Sequence, residues 1–393
     1  MTRSPGRGRL SLFVFIDALG WELTRRHRFL EQLAAQRRPL ETVLGYSSAC
    51  DPTILTGCLP QDHGHFSFFR FDPEASPFGF LKPLAAVPPV LADRARVRNR
   101  LSRVVQARLG YTGYFQLYAA PMKYLPLLDY TEKKDIYEPG GINGGQPTVF
   151  DHMRDAGVPF HRSDWRRSEV ENLGAATAIV RQGEARAIYL YLAELDGIMH
   201  SEGTQSASVP QKLAWYERQL GQLMDEADRQ YADVGLHVFS DHGMMDVSET
   251  SDLSVRIEKL GYRFGADYAA VYDSTMARFW FASESARRSI ERLLAAECNG
   301  RILSQSELEA YGCDFGEHLY GELFFLLDPG VILCPSFMGR RPVKGMHGYD
   351  PLHPSSTASY LSNRTLGDQP RHLADLHDLM LSETGVARRD LVA

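Results

Sequence analysis

The chain is poor in cysteine and contains no long apolar run. Its 393 residues include five cysteines, an odd number, and no Cys-x-x-Cys pair. A disulfide framework is therefore not expected, and a reducing compartment, the cytoplasm, is favoured. No stretch approaches the roughly 20 apolar residues that a membrane-spanning helix needs. The basic start of the chain precedes only a short apolar run that ends at Asp17 without a small-residue cleavage site, so no secretory signal peptide is expected.

The chain also lacks an excess of positive charge, internal repeats and low-complexity segments. Its formal net charge is −6, with 44% hydrophobic and 23% charged residues. This composition is typical of globular proteins and gives no reason to expect a nucleic acid polymer or an anionic membrane as a partner. The length favours one large α/β domain with insertions. The sequence leaves the oligomeric state open.

What the chain does contain is four short segments that each end on a carboxylate or a histidine. Three of them follow apolar runs typical of buried strands, at 10–16, 187–192 and 236–239. In an open α/β sheet, ligands bind beyond the carboxyl ends of the strands, so the polar residues that follow are expected to converge. Three aspartates and three histidines suit two zinc-like cations and phosphoryl transfer. These residues are Asp17, Asp196, His200, Asp241, His242 and, in the fourth segment, His347.

Most of these residues have a simpler interpretation when taken alone. Asp17 suits a helix cap or turn, and an Asp196–His200 spacing of four is common on helix surfaces. His347 suits a surface loop, whereas Asp241-His242 directly after a strand favours a functional site by itself. The remaining candidates are interpreted as ordinary, non-functional histidines: His63, His65, His318, His353, His372 and His377.

Ser47 is the candidate nucleophile. It is predicted to lie in a tight turn before a helix whose N-terminus can hold phosphate oxygens on free N–H groups. A serine hydroxyl is a poor nucleophile at its ordinary pKa, and coordination to a cation lowers that pKa. Ser48, Asp51 and Thr53 are rivals, and Asp51 is predicted to cap the helix that follows.

The ordered set of motifs resembles the alkaline phosphatase superfamily and, within it, the type I phosphodiesterase/nucleotide pyrophosphatase family. Single pieces are weak, but they stand in the family's order across most of the chain. They are Phe15–Gly20, Leu55–Gly64, Asp196 with His200, Ser240–Met244 and Gly345–Asp350. The resemblance implies an α/β fold, an alkaline-phosphatase-like three-layer α/β/α sandwich with a cap insertion and a smaller second lobe.

The resemblance also implies two divalent cations, expected to be Zn²⁺. One would be held by Asp196, His200 and His347. The other would be held by Asp17, Asp241 and His242, with the nucleophile as a further ligand. In the family the nucleophile stands ten residues before the glycine of a Thr-Gly pair, and counting back from Gly57 gives Ser47.

The chain departs from the family pattern around the nucleophile. Diesterases usually carry threonine there, whereas serine is usual in the monoesterases and mutases. The diesterase motif Thr-Phe-Pro-Asn-His is absent, and the asparagine that helps to hold a phosphoryl oxygen should fall near Phe68. The register around Cys50 lacks the arginine of a sulfatase signature, so a sulfatase is excluded.

The predicted function is hydrolysis of phosphodiester or nucleotide pyrophosphate bonds through a phospho-serine intermediate. The expected substrate is a small phosphate ester or nucleotide-type molecule, since the aromatic residues of 66–145 offer faces to a flat leaving group. A phosphomonoesterase or phosphonate hydrolase is the alternative that Ser47 favours, together with a phosphomutase. A monoesterase would need a cationic side chain, for which the candidates are Arg340, Arg341, Lys344 and the arginines of 94–108. A metal-binding protein without activity is disfavoured by the complete ligand set.

The predicted core comprises residues 1–65, 146–250 and 341–393. Residues 66–145 are predicted to form a cap-type insertion that includes a basic helix, and residues 251–340 a smaller α+β lobe. Within the core, the first strand is expected to lead into a helix over 21–36.

Overall fold

The computed structural model describes residues 8–87, 94–365 and 367–386. Its strands are β1 (Arg9–Ile16), β2 (Gln36–Leu40), β3 (Phe69–Phe71), β4 (Leu128–Tyr130), β5 (Phe160–Arg162), β6 (Ala187–Leu192), β7 (Asp233–Phe239), β8 (Met245–Asp246), β9 (Glu249–Ser251), β10 (Tyr268–Tyr272), β11 (Met276–Phe281), β12 (Gly300–Ile302), β13 (Leu323–Leu327), β14 (Val331–Leu333), β15 (Gly345–Met346) and β16 (Ala358–Ser362).

The described α-helices alternate with these strands. They are α1 (Trp21–His27), α2 (Ser47–Thr56), α3 (Pro60–His63), α4 (Ala95–Leu109), α5 (Val149–Asp155), α6 (Glu169–Gln182), α7 (Glu194–Glu202), α8 (Ser208–Gln230), α9 (Leu253–Glu258), α10 (Glu284–Ala295), α11 (Gln305–Ala310) and α12 (Asp375–Thr384). None of these helices is both long and apolar enough to cross a bilayer.

The central sheet is mixed and has the strand order β2-β16-β7-β1-β6-β5. Strands β5, β6, β1 and β7 are parallel, and β16 runs antiparallel to both of its neighbours. Strand β1 lies between β6 and β7, with Phe15 in register with Tyr191 on one side and Phe239 on the other. Because parallel strands end at the same edge, the segments that follow β1, β6 and β7 meet there.

Side chains of the central sheet alternate between two apolar layers. Phe13 and Phe15 pack in a cluster with residues of α2, α5 and α12, whereas Leu12 and Val14 pack with residues of α1, α6, α7 and α8. A strand covered on both faces reads as a continuous apolar run, as β1 does. The arrangement is the three-layer α/β/α sandwich that the sequence predicts.

The first helix is shorter than predicted. The expected helix over 21–36 ends at His27, because Arg28 and Leu30 adopt left-handed backbone with φ of 52° and 56°. Residues of this conformation cannot continue a right-handed helix. The chain then enters β2 at Gln36, inside the range predicted as helix.

A second, antiparallel sheet lies in the segment predicted as a smaller lobe, with the order β10-β11-β13-β12. One face of this sheet packs against apolar residues of the predicted cap, such as Phe69 and Phe78, in a single cluster. The other face contributes Phe324 and Leu326 to the cluster beneath α2. The cap and the lobe therefore share one apolar core, while their limits at 66–145 and 251–340 remain predictions.

Two short pairs of strands lie where the chain enters and leaves this lobe. Strand β8 pairs with β15, and β9 pairs with β14. The outgoing chain is thus bonded to the returning chain directly beside the segments that carry Asp241, His242 and His347.

One buried ion pair joins the cap to the lobe. The Arg278 guanidinium is fully buried and donates to Asp273 Oδ2 at 2.9 Å, to Ser67 Oγ at 2.8 Å and to the carbonyl oxygens of Phe69 and Tyr320. Ser67 Oγ donates in turn to Asp273 Oδ1 at 2.7 Å. A buried charge is tolerable when its partners satisfy it this completely.

Removing the cation should therefore cost much of the stability. We expect Arg278→Met to lower the free energy of unfolding by about 3–5 kcal/mol, because the carboxylate of Asp273 stays buried without a counter-charge. Chemical denaturation measures this loss. The matched control is Arg288→Met, whose exposed pair with Glu284 on α10 should contribute about 0.5 kcal/mol or less. Equal losses in the two variants would contradict the role given to Arg278.

Candidate active site

The six predicted metal ligands converge at the carboxyl edge of the central sheet in two groups of three. Asp17, Asp241 and His242 form one group, and Asp196, His200 and His347 form the other. Within each group the potential ligand atoms lie within 4.8 Å of one another. The two groups adjoin, because the rings of His242 and His347 stack with centroids 3.7 Å apart.

The backbone orients two of the histidines. Nδ1 of His200 donates to the carbonyl oxygen of Gly345 at 2.8 Å, and Nδ1 of His242 donates to that of Gly243 at 2.9 Å. A carbonyl oxygen only accepts, so the proton of each neutral ring lies on Nδ1 and the lone pair on Nε2. Those Nε2 atoms face carboxylate oxygens, 3.2 Å from Asp196 Oδ1 and 2.9 Å from Asp241 Oδ2. Acceptors this close require a positive charge between them, a proton or a metal ion.

The carboxylates are held in the same manner. Asp241 Oδ1 accepts hydrogen bonds from the backbone amides of Ala18 and His242, at 3.2 and 2.9 Å, which turns Oδ2 toward the site. The buried oxygens Asp17 Oδ1, Asp196 Oδ1 and Asp241 Oδ2 accept no hydrogen bond from the described residues. Unsatisfied buried oxygens are costly, so this donor set fits divalent cations.

The electrostatics of the site also favour a cation. Burial, and then the carboxylates of Asp241 and Asp196, raise the pKa of Asp17 well above its ordinary value. Burial lowers the pKa of His242, but the carboxylate of Asp241 outweighs it and the net shift is upward. Burial, with the neighbouring His242 and His200, holds the pKa of His347 well below its ordinary value. The site concentrates negative charge away from water, which a bound metal ion offsets.

Ser47 is the first residue of α2, and its Oγ lies 3.1 Å from His242 Nε2. The first N–H groups of a helix have no intrahelical acceptor, so this end favours an anionic group. The rivals are engaged elsewhere: Ser48 Oγ donates to the carbonyl of Phe66, and Thr53 Oγ1 to that of Ala49. The arrangement supports Ser47 over Ser48 and Thr53.

The capping role predicted for Asp51 is wrong. Helix α2 begins at Ser47, one turn earlier than expected, so Asp51 lies inside it. Its Oδ2 accepts a hydrogen bond from the hydroxyl of Tyr137 at 3.3 Å. Ser47 and Asp51 share a face of α2 because they are four residues apart, and both line the same cavity.

A cavity of about 520 Å³ opens beside the two ligand groups. Its wall is aromatic, with Phe68 stacked on Tyr118 at 5.7 Å and Trp165 5.9 Å from Tyr114. The position where the family's asparagine was expected is occupied by this wall, at Phe68. Three further carboxyl groups line the cavity, those of Asp51, Glu132 and Asp273, the last of which pairs with Arg278. The six histidines interpreted as non-functional do not line this cavity and belong to neither ligand group.

Residues that the sequence reasoning missed hold the nucleophile in place. Tyr46 precedes Ser47, and its hydroxyl accepts from the amide of Thr275 at 3.0 Å and lies 2.9 Å from Thr275 Oγ1. Thr275 Oγ1 donates to the carbonyl of Gly348 at 2.6 Å. Gly348 has φ of +83°, and a Cβ there would lie 2.6 Å from the Tyr46 ring. The hairpin turn between β10 and β11 thus braces both the Ser47 and the His347 segments.

A model of the type I phosphodiesterase / nucleotide pyrophosphatase family matches residues 12–350. The chain belongs to this family. It is a hydrolase with an alkaline-phosphatase-like fold, as the sequence predicts, in a family of phosphodiesterases that use two metal ions. No curated protein sequence matches the chain.

Solved structures of family members share the fold. Murine ectonucleotide pyrophosphatase/phosphodiesterase 5 is 16% identical, with a TM-score of 0.66 over 96% of this chain and 95% of that one. An inactive variant of the murine protein in complex with AMP matches with the same identity and TM-score, over 96% of each chain. The human protein is 14% identical, with a TM-score of 0.67 over 96% of this chain and 95% of that one.

Metal content tests the ligand groups. We expect the phosphodiesterase to bind two equivalents of Zn²⁺ and Asp241→Asn to retain about one, because an amide oxygen is a weaker ligand than a carboxylate. Metal analysis after dialysis against zinc gives the stoichiometry. Asp62→Asn, an exposed change on α3, is the control and should keep both ions. Two retained equivalents in Asp241→Asn would count against its role as a ligand.

The hydrogen bonds of Thr275 with Tyr46 and Gly348 lead to a separate prediction. Thr275→Val removes both side-chain hydrogen bonds with little change in volume, and we expect kcat/KM to fall about 10–100-fold, as for other groups that orient metal ligands. Thr275→Ser keeps the hydroxyl and should rescue the activity. If Thr275→Val instead lowers only the melting temperature, with unchanged kinetics below it, Thr275 is structural and does not position the site.

Proposed function

We propose that this enzyme hydrolyses phosphodiester or nucleotide pyrophosphate bonds through a phospho-serine intermediate on Ser47 at a two-zinc site. The observation that carries the proposal is the position of Ser47 Oγ, 3.1 Å from His242 Nε2 and at the N-terminus of α2. A hydroxyl nucleophile therefore stands beside one ligand group and within a cavity lined by residues of both.

The ligand groups define where the ions would bind. Asp17, Asp241 and His242, together with Ser47, would hold one ion, and Asp196, His200 and His347 the other. Imidazole and carboxylate donors suit zinc and also manganese, and we propose zinc. Bound ions supply Lewis acidity, which lowers the pKa of the serine hydroxyl and offsets the charge on the phosphoryl oxygens.

The residues of the chain then divide the reaction between them. The oxygen of Ser47 forms a bond to phosphorus as the bond to the leaving oxygen breaks, and the serine proton goes to the leaving group. The phosphoryl group, with the second ester substituent of a diester still attached, is then bound to Ser47. Water breaks the new bond in a second step and restores the hydroxyl. The N–H groups at the start of α2 favour the charge on the phosphoryl oxygens in both steps. The backbone carbonyls of Gly345 and Gly243 keep His200 and His242 in the tautomer that binds metal.

The charge of the cavity favours a diester over a monoester. No Lys or Arg is found among the described residues that line it, so Arg340, Arg341, Lys344 and the arginines of 94–108 do not line the cavity. A monoester dianion carries one more negative charge than a diester and would find no Lys or Arg among the described lining residues to offset it. Burial raises the pKa of Glu132 to about 8, so its carboxyl is mostly protonated at neutral pH and can donate a hydrogen bond to a leaving group.

The aromatic wall supports a flat leaving group such as a nucleoside. Phe68, Tyr114, Tyr118 and Trp165 present ring faces to the cavity, on which a base can stack. AMP is bound in the structure of the murine relative. We therefore propose a small nucleotide-type phosphodiester as the substrate, in a reducing compartment that the five unpaired cysteines support.

A phosphomonoesterase or phosphomutase is the second candidate, and one feature favours it. The nucleophile is serine, where diesterases of the family usually carry threonine. Such an activity would pass the phosphoryl group of phospho-serine to water or to a sugar hydroxyl.

Two measurements test the proposal. Ser47→Ala should lower kcat on a chromogenic phosphodiester by about 10³-fold or more, because the attacking oxygen is lost. Acid-quenched wild-type enzyme should carry on Ser47, by mass spectrometry, a phosphoryl group that retains the second ester substituent of the diester. Ser48→Ala is the matched control and should retain its activity, and Ser47→Thr should keep turnover. An active Ser47→Ala together with an inactive Ser48→Ala would transfer the role to Ser48.

The same assay separates the two candidate functions. After chelation and zinc add-back, the phosphodiester should be hydrolysed with a higher kcat/KM than the matching monoester, because the cavity offers no cationic side chain. A preference for the monoester would favour the phosphatase or mutase, and no zinc-dependent turnover of either would overturn the proposed reaction.

A further inference from the structure

The charge of the chain is unevenly distributed. Between Glu74 and Asp129 there is one acidic residue, Asp93, against eight basic ones, which gives a local net charge of +7. The basic residues are Lys82, Arg94, Arg96, Arg98, Arg100, Arg103, Arg108 and Lys123. Since the whole chain has a net charge of −6, the remaining residues together carry −13. Such a separation is typical of a surface that meets a polyanion.

Four of these eight basic residues lie on the outer face of α4. Arg96, Arg100, Arg103 and Arg108 are exposed, whereas Arg98 is buried and donates to the carbonyl of Ala120 at 2.8 Å. The first turn of α4 contains arginines and no acidic residue. Positive charge at a helix N-terminus opposes the helix dipole, so the local structure does not benefit from this placement.

The exposed arginines of α4 lack the carboxylate partners found elsewhere. On other helices the exposed Arg154 and Arg288 pair with Asp151 and Glu284 one turn away. For Arg96, Arg100 and Arg103, the described part of the chain offers no carboxylate within ion-pair distance. No described carboxylate neutralises their charge, which favours a partner outside the chain.

Apolar side chains are exposed between these arginines. Val97 is 44% and Val104 58% exposed, and because they are seven residues apart they lie on one stripe of the helix. Phe80 is 38% exposed, and the Arg108 guanidinium lies 4.9 Å from the centre of its ring. We call the outer surface of α4 from Arg96 to Arg108, together with Phe80, the basic face.

We propose that the basic face docks on an anionic phospholipid surface. A cluster of arginines gains affinity from the negative potential of such a surface, and the exposed valines and phenylalanine can enter the boundary between headgroups and acyl chains. A nucleic acid would engage the arginines but offers no apolar phase to the valines. The occupant that fits both the charge and the apolar stripe is therefore the membrane.

Helix α4, which carries the basic face, is hydrogen-bonded to a segment that lines the cavity. On the inner side of α4, Ser102 Oγ accepts from the amide of Leu117 at 3.0 Å, and Gln106 Nε2 donates to the carbonyl of Gly113 at 3.0 Å. These bonds hold the segment that supplies Tyr114 and Tyr118 to the aromatic wall. Docking thus places the lipid surface on the opposite side of α4 from a segment that lines the cavity.

Co-sedimentation of the full-length protein with vesicles tests the proposal. We expect binding to phosphatidylcholine vesicles that contain about one-third phosphatidylserine, no binding to pure phosphatidylcholine, and loss of binding as salt rises from about 0.05 to about 0.5 M. The triple change Arg96→Glu, Arg100→Glu and Arg103→Glu should weaken the partition by about 100-fold or more, since each arginine contributes roughly fivefold. Val97→Ser with Val104→Ser should weaken vesicle binding but not the binding of duplex DNA.

The controls separate the basic face from overall charge. Arg218→Glu, Arg288→Glu and Arg292→Glu change the net charge by the same amount on other helices and should leave vesicle binding intact. All variants should hydrolyse a soluble chromogenic diester at the wild-type rate, which shows that they are folded and keeps the outcome independent of the proposed reaction. The proposal is overturned by absence of binding to the anionic vesicles at low salt, by equal loss in the two triple variants, or by tighter binding of duplex DNA than of vesicles at the same salt.

Discussion

The buried ion pair between Arg278 and Asp273 fixes the position of the predicted cap and of the smaller lobe relative to the active site. Its partners come from the first residues of the predicted cap, from the hairpin of the second sheet and from the turn before β13. A guanidinium taken out of water tolerates only a geometry that satisfies its donors, so it fixes all three segments at once. The hairpin turn that begins with Asp273 also contains Thr275, and through Thr275 this fixed geometry reaches Tyr46 and Gly348. The nucleophile and one histidine of the site are therefore positioned from outside the central sheet.

Short, local patterns in the sequence predict the central sheet. The runs of apolar residues that become β1, β6 and β7 are continuous because parallel strands are covered on both faces, and a polar residue at the end of each run marks the edge of the sheet. This is why an α/β domain and the convergence of Asp17, Asp196 and Asp241 could be inferred from spacing and order, whereas the three-layer arrangement followed from the resemblance to the family. The length of α1 could not, because its end depends on left-handed backbone at Arg28 and Leu30, which neither residue type indicates.

The parts of the site that the sequence did not reveal arise from contacts between distant segments. Thr275 and Glu132 have no motif around them, and they gain their positions only when the cap and the second sheet fold against the core. The capping role predicted for Asp51 is wrong for a related reason. The Ser-Ser-Ala-Cys-Asp segment contains several residues able to cap a helix, and the helix begins at the first of them, Ser47. The net charge likewise did not reveal the basic segment of the cap. A net charge of −6 is the sum of this basic segment and an acidic remainder.

The strand pairs β8–β15 and β9–β14, where the chain enters and leaves the smaller lobe, have a consequence for unfolding. The chain leaves the core three residues after His242 and returns two residues before His347, and β8 and β15 bond the two passages to each other. The lobe is thus a long loop whose ends each carry a ligand of a different ion. Ions bound at both ends would clasp this loop and reduce the entropy that its opening gains. Loosening of the lobe would separate the His242 and His347 rings while the strands of the central sheet remain paired, so metal release would report the opening of the lobe before the core unfolds.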